Sequence, residues 1–164
     1  MEHEKLTSVI IGCAMKVHHT LGPGFLESVY QKSLEHEIQK AGLSVVREAP
    51  LTVYYDNIAV GNFFADMLVE NTIIIETKAT QSLVTQHEVQ LVNYLNALQK
   101  DTGLLLNFGS PSLQIKRKFI SPRPTNPVNL KNPVNPVQKT TPANPVNLKN
   151  PVNPVKKNTP TNPV

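Results

Sequence analysis

Outside its expected turn at Val69–Thr72, the apolar stretch Phe63–Ala79 is interrupted by three charged residues. Asp66 lies on the first of two expected strands, and Glu76 and Lys78 lie on the second. Because successive side chains on a strand point to opposite faces, Glu76 and Lys78 share a face. A carboxylate and an ammonium on apolar strands are costly to bury unless they are paired or bound to a metal. Two carboxylates and one lysine at a strand end suit metal-assisted hydrolysis of a phosphodiester. The carboxylates hold a hard divalent cation. The ammonium positions the attacking water or stabilises the developing charge.

The turn between the two strands decides whether both carboxylates reach one cation. A two-residue turn at Glu70-Asn71 would put Asp66 and Glu76 on opposite faces. A three-residue loop over Glu70–Thr72 pairs them on one face. We therefore expect an odd-numbered loop or a bulge at this place.

Several motifs together resemble one known family. Asp66 followed ten residues later by Glu76-Thr77-Lys78 resembles the signature of the PD-(D/E)XK nuclease superfamily. The segment GFLESVY at Gly24–Tyr30 resembles the motif that names the GxxExxY branch of that superfamily. The resemblance covers roughly residues 5–120, and it continues through these further positions: Gln90, Tyr94, Leu95 and the run GLLLNFG at Gly103–Gly109.

This resemblance implies a metal-dependent nuclease that acts on nucleic acid, with DNA favoured over RNA. It implies that Asp66 and Glu76 ligate Mg²⁺ or Mn²⁺ with help from the Thr77 carbonyl, although the family more often has an aliphatic side chain at that position. Lys78 would activate water or stabilise the phosphate. The remaining expected roles are an outer-shell or further ligand at Glu27, substrate orientation at Gln90, and site support at Gly24, Tyr30 and Tyr94.

The residues alone leave other interpretations open. A glutamate in the first turn of a helix, such as Glu27, is favoured by the helix dipole and usually does nothing else. Asp66, Glu76 and Lys78 could form a buried ion network without catalysis. A non-catalytic module that keeps the nuclease fold to bind nucleic acid or protein would tolerate the loss of these residues, whereas an enzyme would need them.

The elements that must position these residues follow from hydrophobic periodicity. We expect helices over 4–20 and 25–41, an antiparallel meander of strands over 44–55, 58–69 and 73–78, a helix from Thr85 to about Lys100, and strands at 104–108 and 113–120. Thr85-Gln86-His87-Glu88 predicts a capping box at the third helix. The order ααβββαββ predicts an α/β fold, a mixed central sheet flanked by helices, compatible with the αβββαβ core of the superfamily.

Composition bounds the class of protein. A single cysteine excludes an intramolecular disulfide and fits a reducing, cytoplasmic setting. No apolar run approaches the ~20 residues of a membrane span, and the acidic N-terminus does not resemble a signal peptide. Residues 1–121 carry 10 basic and 12 acidic residues, a net charge of −2, whereas residues 122–164 carry six basic residues and no acid. Oligomeric state does not follow from any of these features.

Two basic segments each have two interpretations. Lys116, Arg117 and Lys118 on the last strand either protect an edge from aggregation or contact phosphate. Residues 122–164 carry an 18-residue tandem repeat (126–143 and 144–161) and 11 of the 14 prolines. We expect this tail to be disordered and separate from a nuclease-like domain over 1–121. We favour no role for it over that of a cationic tether for nucleic acid.

Overall fold

The computed structural model describes residues 3–122, which form three helices and five strands. The order ααβββαββ is the predicted one. The predicted tail lies, from residue 123 onward, outside the described residues. In chain order the elements are α1 (Glu4–Leu21), α2 (Glu27–Lys40), β1 (Val45–Tyr55), β2 (Ile58–Val69), β3 (Ile73–Lys78), α3 (Thr85–Leu98), β4 (Thr102–Asn107) and β5 (Gln114–Phe119).

The five strands form one mixed sheet in the order β1-β2-β3-β4-β5. Strands β3 and β4 are parallel, and every other pair is antiparallel. A parallel pair needs a crossover connection, which α3 supplies. The predicted α/β class, a mixed central sheet flanked by helices, is confirmed.

Each face of the sheet has its own apolar core. Helices α1 and α2 cover one face, where residues such as Ile10 and Leu34 pack with Ile75 and Leu106. Helix α3 covers the other face, where Leu91 packs with Ile74 and Leu105. Strand β4 is buried along its whole length, as its continuous apolar run predicts. By alternation, Glu76 and Lys78 continue the face of Ile74, on the side of α3.

The turn between β2 and β3 has three residues, because Val69 pairs with Ile73. The predicted odd-numbered loop is therefore confirmed. The β2–β3 ladder ends at the pair Met67–Ile75, one position before Asp66 and Glu76.

Strand β2 is also irregular at Asp66. Strict alternation would put Ala65 and Met67 on one face, but Ala65 packs in the core of α3 and Met67 in the core of α1 and α2. Opposite Asp66, Glu48 of β1 has a positive φ of 49°, and the pairing steps from Arg47–Met67 to Ala49–Ala65. A three-residue turn and a strand irregularity thus occur together at the first carboxylate.

Two further expectations concern α3 and β5. The predicted capping box at α3 is wrong: Val84 occupies the N-cap and gives no side-chain hydrogen bond, while Nδ1 of His87 accepts a bond of 3.4 Å from the Val84 backbone N–H. Strand β5 is an edge strand, and Lys118 forms an ion pair with Glu88. The edge position favours the protective interpretation of the basic residues, and phosphate contact stays a prediction.

No helix within residues 3–122 is long and apolar enough to cross a bilayer.

Candidate active site

Glu76 is the most buried charged group at the carboxyl end of β3, with a side chain only 2% exposed. Its Oε1 accepts a hydrogen bond of 2.6 Å from Nζ of Lys78. Its Oε2 is buried and has no hydrogen-bond partner within the described part of the chain. An unpaired buried carboxylate oxygen is costly, so this atom marks a position that a cation would stabilise.

Asp66 is oriented by Thr77. Oδ2 of Asp66 accepts hydrogen bonds from the backbone N–H of Thr77 at 2.7 Å and from its Oγ1 at 2.6 Å. Because the ladder ends at Met67, the carboxylate takes the place that a backbone partner would occupy on β3. Nε2 of Gln31 donates to Oγ1 of Thr77 at 3.0 Å. Both bonds to Asp66 use the same oxygen, which leaves Oδ1 free of hydrogen bonds among residues 3–122.

Glu27, Asp66, Glu76 and Lys78 interact electrostatically, and the pKa shifts show how. Burial and then the charge of Asp66 raise the pKa of Glu76 to about 7, against the opposing effect of Lys78. Burial also raises the pKa of Glu27, and Lys78 partly offsets that rise. Burial lowers the pKa of Lys78, but its bond with Glu76 and the three negative charges raise it overall. Three carboxylates against one ammonium leave an excess of negative charge that suits a divalent cation.

The chain after Lys78 is held by Asn107, the last residue of β4. Oδ1 of Asn107 accepts from the backbone N–H groups of Thr80 at 3.0 Å and Gly109 at 3.1 Å, and its Nδ2 donates to the Thr80 carbonyl at 2.9 Å. A Cβ at Gly109 would lie 2.5 Å from backbone atoms of Ala79 and Thr80. The backbone N–H of Ala79 in turn stabilises the ionised carboxylate of Glu27.

Tyr30 anchors the segment before Glu27, the first residue of α2. Its hydroxyl donates to the Gly22 carbonyl at 2.7 Å and accepts from the Phe25 N–H at 3.1 Å, and its buried ring stacks on Phe108 at 4.8 Å. Gly24 has a φ of +112°, which favours glycine, and a Cβ there would meet no atom within 4 Å. The need for glycine at this position is thus conformational.

Gln90 and Tyr94 lie on α3 and bond to each other. Nε2 of Gln90 donates to the Tyr94 hydroxyl at 3.0 Å. No hydrogen bond among the described residues joins Gln90 to Asp66, Glu76 or Lys78. The link from α3 to the charged cluster is electrostatic: burial and the charge of Lys78 lower the pKa of His87.

The fold thus brings four predicted residues into one cluster and leaves Gln90 and Tyr94 on the neighbouring helix. Within residues 3–122, no three His, Cys, Asp or Glu side chains come together as a ready-made metal site. Sequence reasoning missed Gln31 and the anchoring role of Asn107. The only signal for Asn107 was a polar residue that ends a buried strand two positions before a glycine.

One comparison with known proteins identified a family. The family model of the PD-(D/E)XK nuclease superfamily matches residues 4–118, which contain all of the fold except Phe119, the last residue of β5. Searches of curated proteins and of solved structures found no match. Enzymes of the superfamily typically use divalent metal ions and act on nucleic acid. The match spans well over half of the chain, and this chain therefore belongs to the PD-(D/E)XK nuclease superfamily.

Proposed function

We propose that this protein is a metal-dependent nuclease that hydrolyses phosphodiester bonds with Mg²⁺ or Mn²⁺ as cofactor. The observation that carries the proposal is Oε2 of Glu76, a carboxylate oxygen buried without a partner among the described residues and surrounded by further negative charge. A buried ion network without a metal would leave this oxygen unpaired. A divalent cation would remove that cost.

Three oxygen atoms form the proposed ligand set: Oδ1 of Asp66, Oε2 of Glu76 and the Thr77 carbonyl. The Thr77 N–H points to Asp66, and the N–H and C=O of a strand residue leave on the same side, which supports the carbonyl as the third ligand. Since no third acidic side chain completes a ready-made site within residues 3–122, we assign Glu27 to the outer shell. When bound, Mg²⁺ or Mn²⁺ supplies Lewis-acid stabilisation of the charge that develops on the phosphate.

Lys78 and side chains of α3 would bind and orient the substrate. Nζ of Lys78, held 2.6 Å from Glu76, would donate hydrogen bonds to the attacking water and to the phosphate. Gln90 would orient the substrate, and Tyr94 would support it through their shared hydrogen bond. Gly24 and Tyr30 would fix the start of α2 and hence Glu27.

The finer assignments are also proposals. The segment Gly24–Tyr30 supports membership of the GxxExxY branch. We assign the nuclease domain to residues 1–121 and a separate repeat tail to residues 122–164. We favour DNA over RNA as substrate.

Cleavage of a mixed panel tests the proposal: supercoiled plasmid, linear duplex, single-stranded DNA and structured RNA, each with Mg²⁺, Mn²⁺ or a chelator. Lys78→Ala is compared with Lys16→Ala, which removes a lysine that is also ion-paired, at 2.7 Å to Glu37 on the helices. We expect metal-dependent cleavage by the wild type and Lys16→Ala and its loss in Lys78→Ala. If the folded wild type cuts no substrate with either metal, the proposal is wrong and a binding module replaces it.

A further inference from the structure

The outer part of the β1–β2 hairpin exposes an unusual apolar surface. Between residues 50 and 65 the only charged side chain is Asp56. The exposed large apolar side chains of this segment are Val53, Tyr55, Ile58, Val60, Phe63 and Phe64. Several exposed large apolar side chains on one hairpin make it a candidate interaction surface.

This hairpin continues past the candidate active site. Residues 58–66 of β2 pair with β1 only, because the ladder with β3 begins at Met67. Since β2 and β3 are antiparallel, the segment from Asp66 back to Ile58 extends in the direction in which β3 runs, beyond Lys78. Phe63 lies three residues from Asp66, a distance of about 10 Å along a strand. A nucleic-acid strand bound at the carboxylates would therefore run alongside this hairpin.

Phe63 is held with part of its ring in solvent. Its side chain is 47% exposed and its ring centroid lies 6.5 Å from that of Tyr94, tilted by 42°. A Cβ at Gly61 would lie 2.9 Å from Cε2 of Phe63, so the ring leans over the glycine. Tyr94 is fixed by Gln90. The glycine beneath and the tyrosine beside the ring hold it in one place.

We propose that Gly61, Phe63 and Tyr94 form a stacking platform for an unpaired base, so that the substrate is single-stranded nucleic acid or a locally opened strand. The proposal rests on the proposed nuclease function, which places a strand at Asp66 and Glu76. Every base has a π-face, and aromatic side chains bind single strands by stacking without charge. In a duplex the bases stack on each other, so no base face is free to stack on an aromatic side chain of the protein. The near absence of charge on the hairpin fits base contact and not phosphate contact.

Binding without cleavage tests the platform separately from catalysis. We would measure fluorescence anisotropy of labelled oligothymidylate, an abasic strand of equal length and a duplex with the full chain in chelator at physiological salt. The abasic strand carries the same phosphates without bases. Phe63→Ala is compared with Phe64→Ala, because Phe64 is 60% exposed and lies on the opposite face of the same strand.

We expect the wild type to bind oligothymidylate more tightly than the abasic strand or the duplex. Phe63→Ala should weaken oligothymidylate binding about 5- to 150-fold, the usual loss of one stacking aromatic, whereas Phe64→Ala should not. Phe63→Leu, which keeps apolar bulk without a π-face, and Gly61→Ala, whose Cβ would displace the Phe63 ring, should reproduce the loss in folded protein. The platform is overturned if Phe63→Leu binds like the wild type, or if the wild type does not prefer bases over the abasic strand.

Sedimentation of the same variants tests whether a second copy of the chain binds this surface instead. A dimer of the wild type that dissociates in Phe63→Ala, with unchanged oligonucleotide binding, would assign the hairpin to a second copy and overturn the proposal. If the wild type cleaves no substrate in the panel above but prefers oligothymidylate over the abasic strand and loses this preference in Phe63→Ala, the nuclease proposal is refuted and the stacking platform is not.

Discussion

Replacing Glu76 by glutamine should stabilise the metal-free protein at alkaline pH. Burial and the charge of Asp66 raise the pKa of Glu76 from 4.5 to about 7 in the folded state. A carboxyl whose pKa is raised by folding contributes stability that is present below its unfolded pKa and is lost as the pH rises through the folded one. A difference of about 2.5 units at 1.36 kcal/mol each corresponds to a loss of about 3 kcal/mol between about pH 4.5 and pH 8. Glutamine has nearly the same shape and cannot ionise, so the variant should lack this loss.

The assay is urea unfolding of the full chain in chelator at several pH values. We expect Glu76→Gln to match the wild type near pH 4.5 and to exceed its free energy of unfolding by about 3 kcal/mol near pH 8. Asp56→Asn removes an exposed carboxylate on the hairpin turn and should keep the slope of the wild type. Parallel curves for the wild type and Glu76→Gln would refute the reasoning. Saturating Mg²⁺ should restore the lost stability of the wild type near pH 8 and leave Glu76→Gln unchanged.

Three further substitutions test the contacts around the cluster. Thr77→Val keeps the side-chain shape but removes the hydroxyl bond to Asp66; it should cost about 1.5–3 kcal/mol in urea unfolding and weaken Mn²⁺ binding in a titration. Asn107→Ala removes the hydrogen bonds that hold Thr80 and Gly109 and should destabilise the protein by about 3 kcal/mol or more, measured by the same unfolding assay. Tyr30→Phe keeps the stacked ring but leaves the Gly22 carbonyl unpaired, and should cost about 1–3 kcal/mol.

Distinct results would contradict each of these expectations. Unchanged Mn²⁺ affinity in Thr77→Val would mean that its hydroxyl does not orient Asp66. Unfolding free energies within about 0.5 kcal/mol of the wild type would contradict the roles of Asn107 and Tyr30, since that is the range of neutral surface substitutions.

Much of the fold and the cluster follows from local patterns. The bounds of β2 and β3 match the prediction, because turn residues at Asp56-Asn57 and Glu70–Thr72 separate the apolar runs. The odd-numbered turn follows from the requirement that two carboxylates share a face. Burial of β4 on both faces follows from its continuous apolar run.

Features that depend on distant contacts could not be predicted. Thr77 is a minor departure from the expected aliphatic residue in the sequence, but its hydroxyl links Gln31 to Asp66 across two elements. The slip of alternation at Asp66 requires a matching irregularity at Glu48 on another strand. The capping box failed at α3 because Thr85 is the first helical residue and Val84, whose side chain cannot accept a hydrogen bond, occupies the N-cap.

A metal site at Asp66 and Glu76 is the claim on which catalysis depends. Electron paramagnetic resonance measures it directly, because free Mn²⁺ gives a sharp signal that is lost when the ion binds. We expect one tight Mn²⁺ per wild-type chain and its loss in Glu76→Gln, a variant that should be at least as stable as the wild type. Equal Mn²⁺ binding by the wild type and Glu76→Gln would contradict the site.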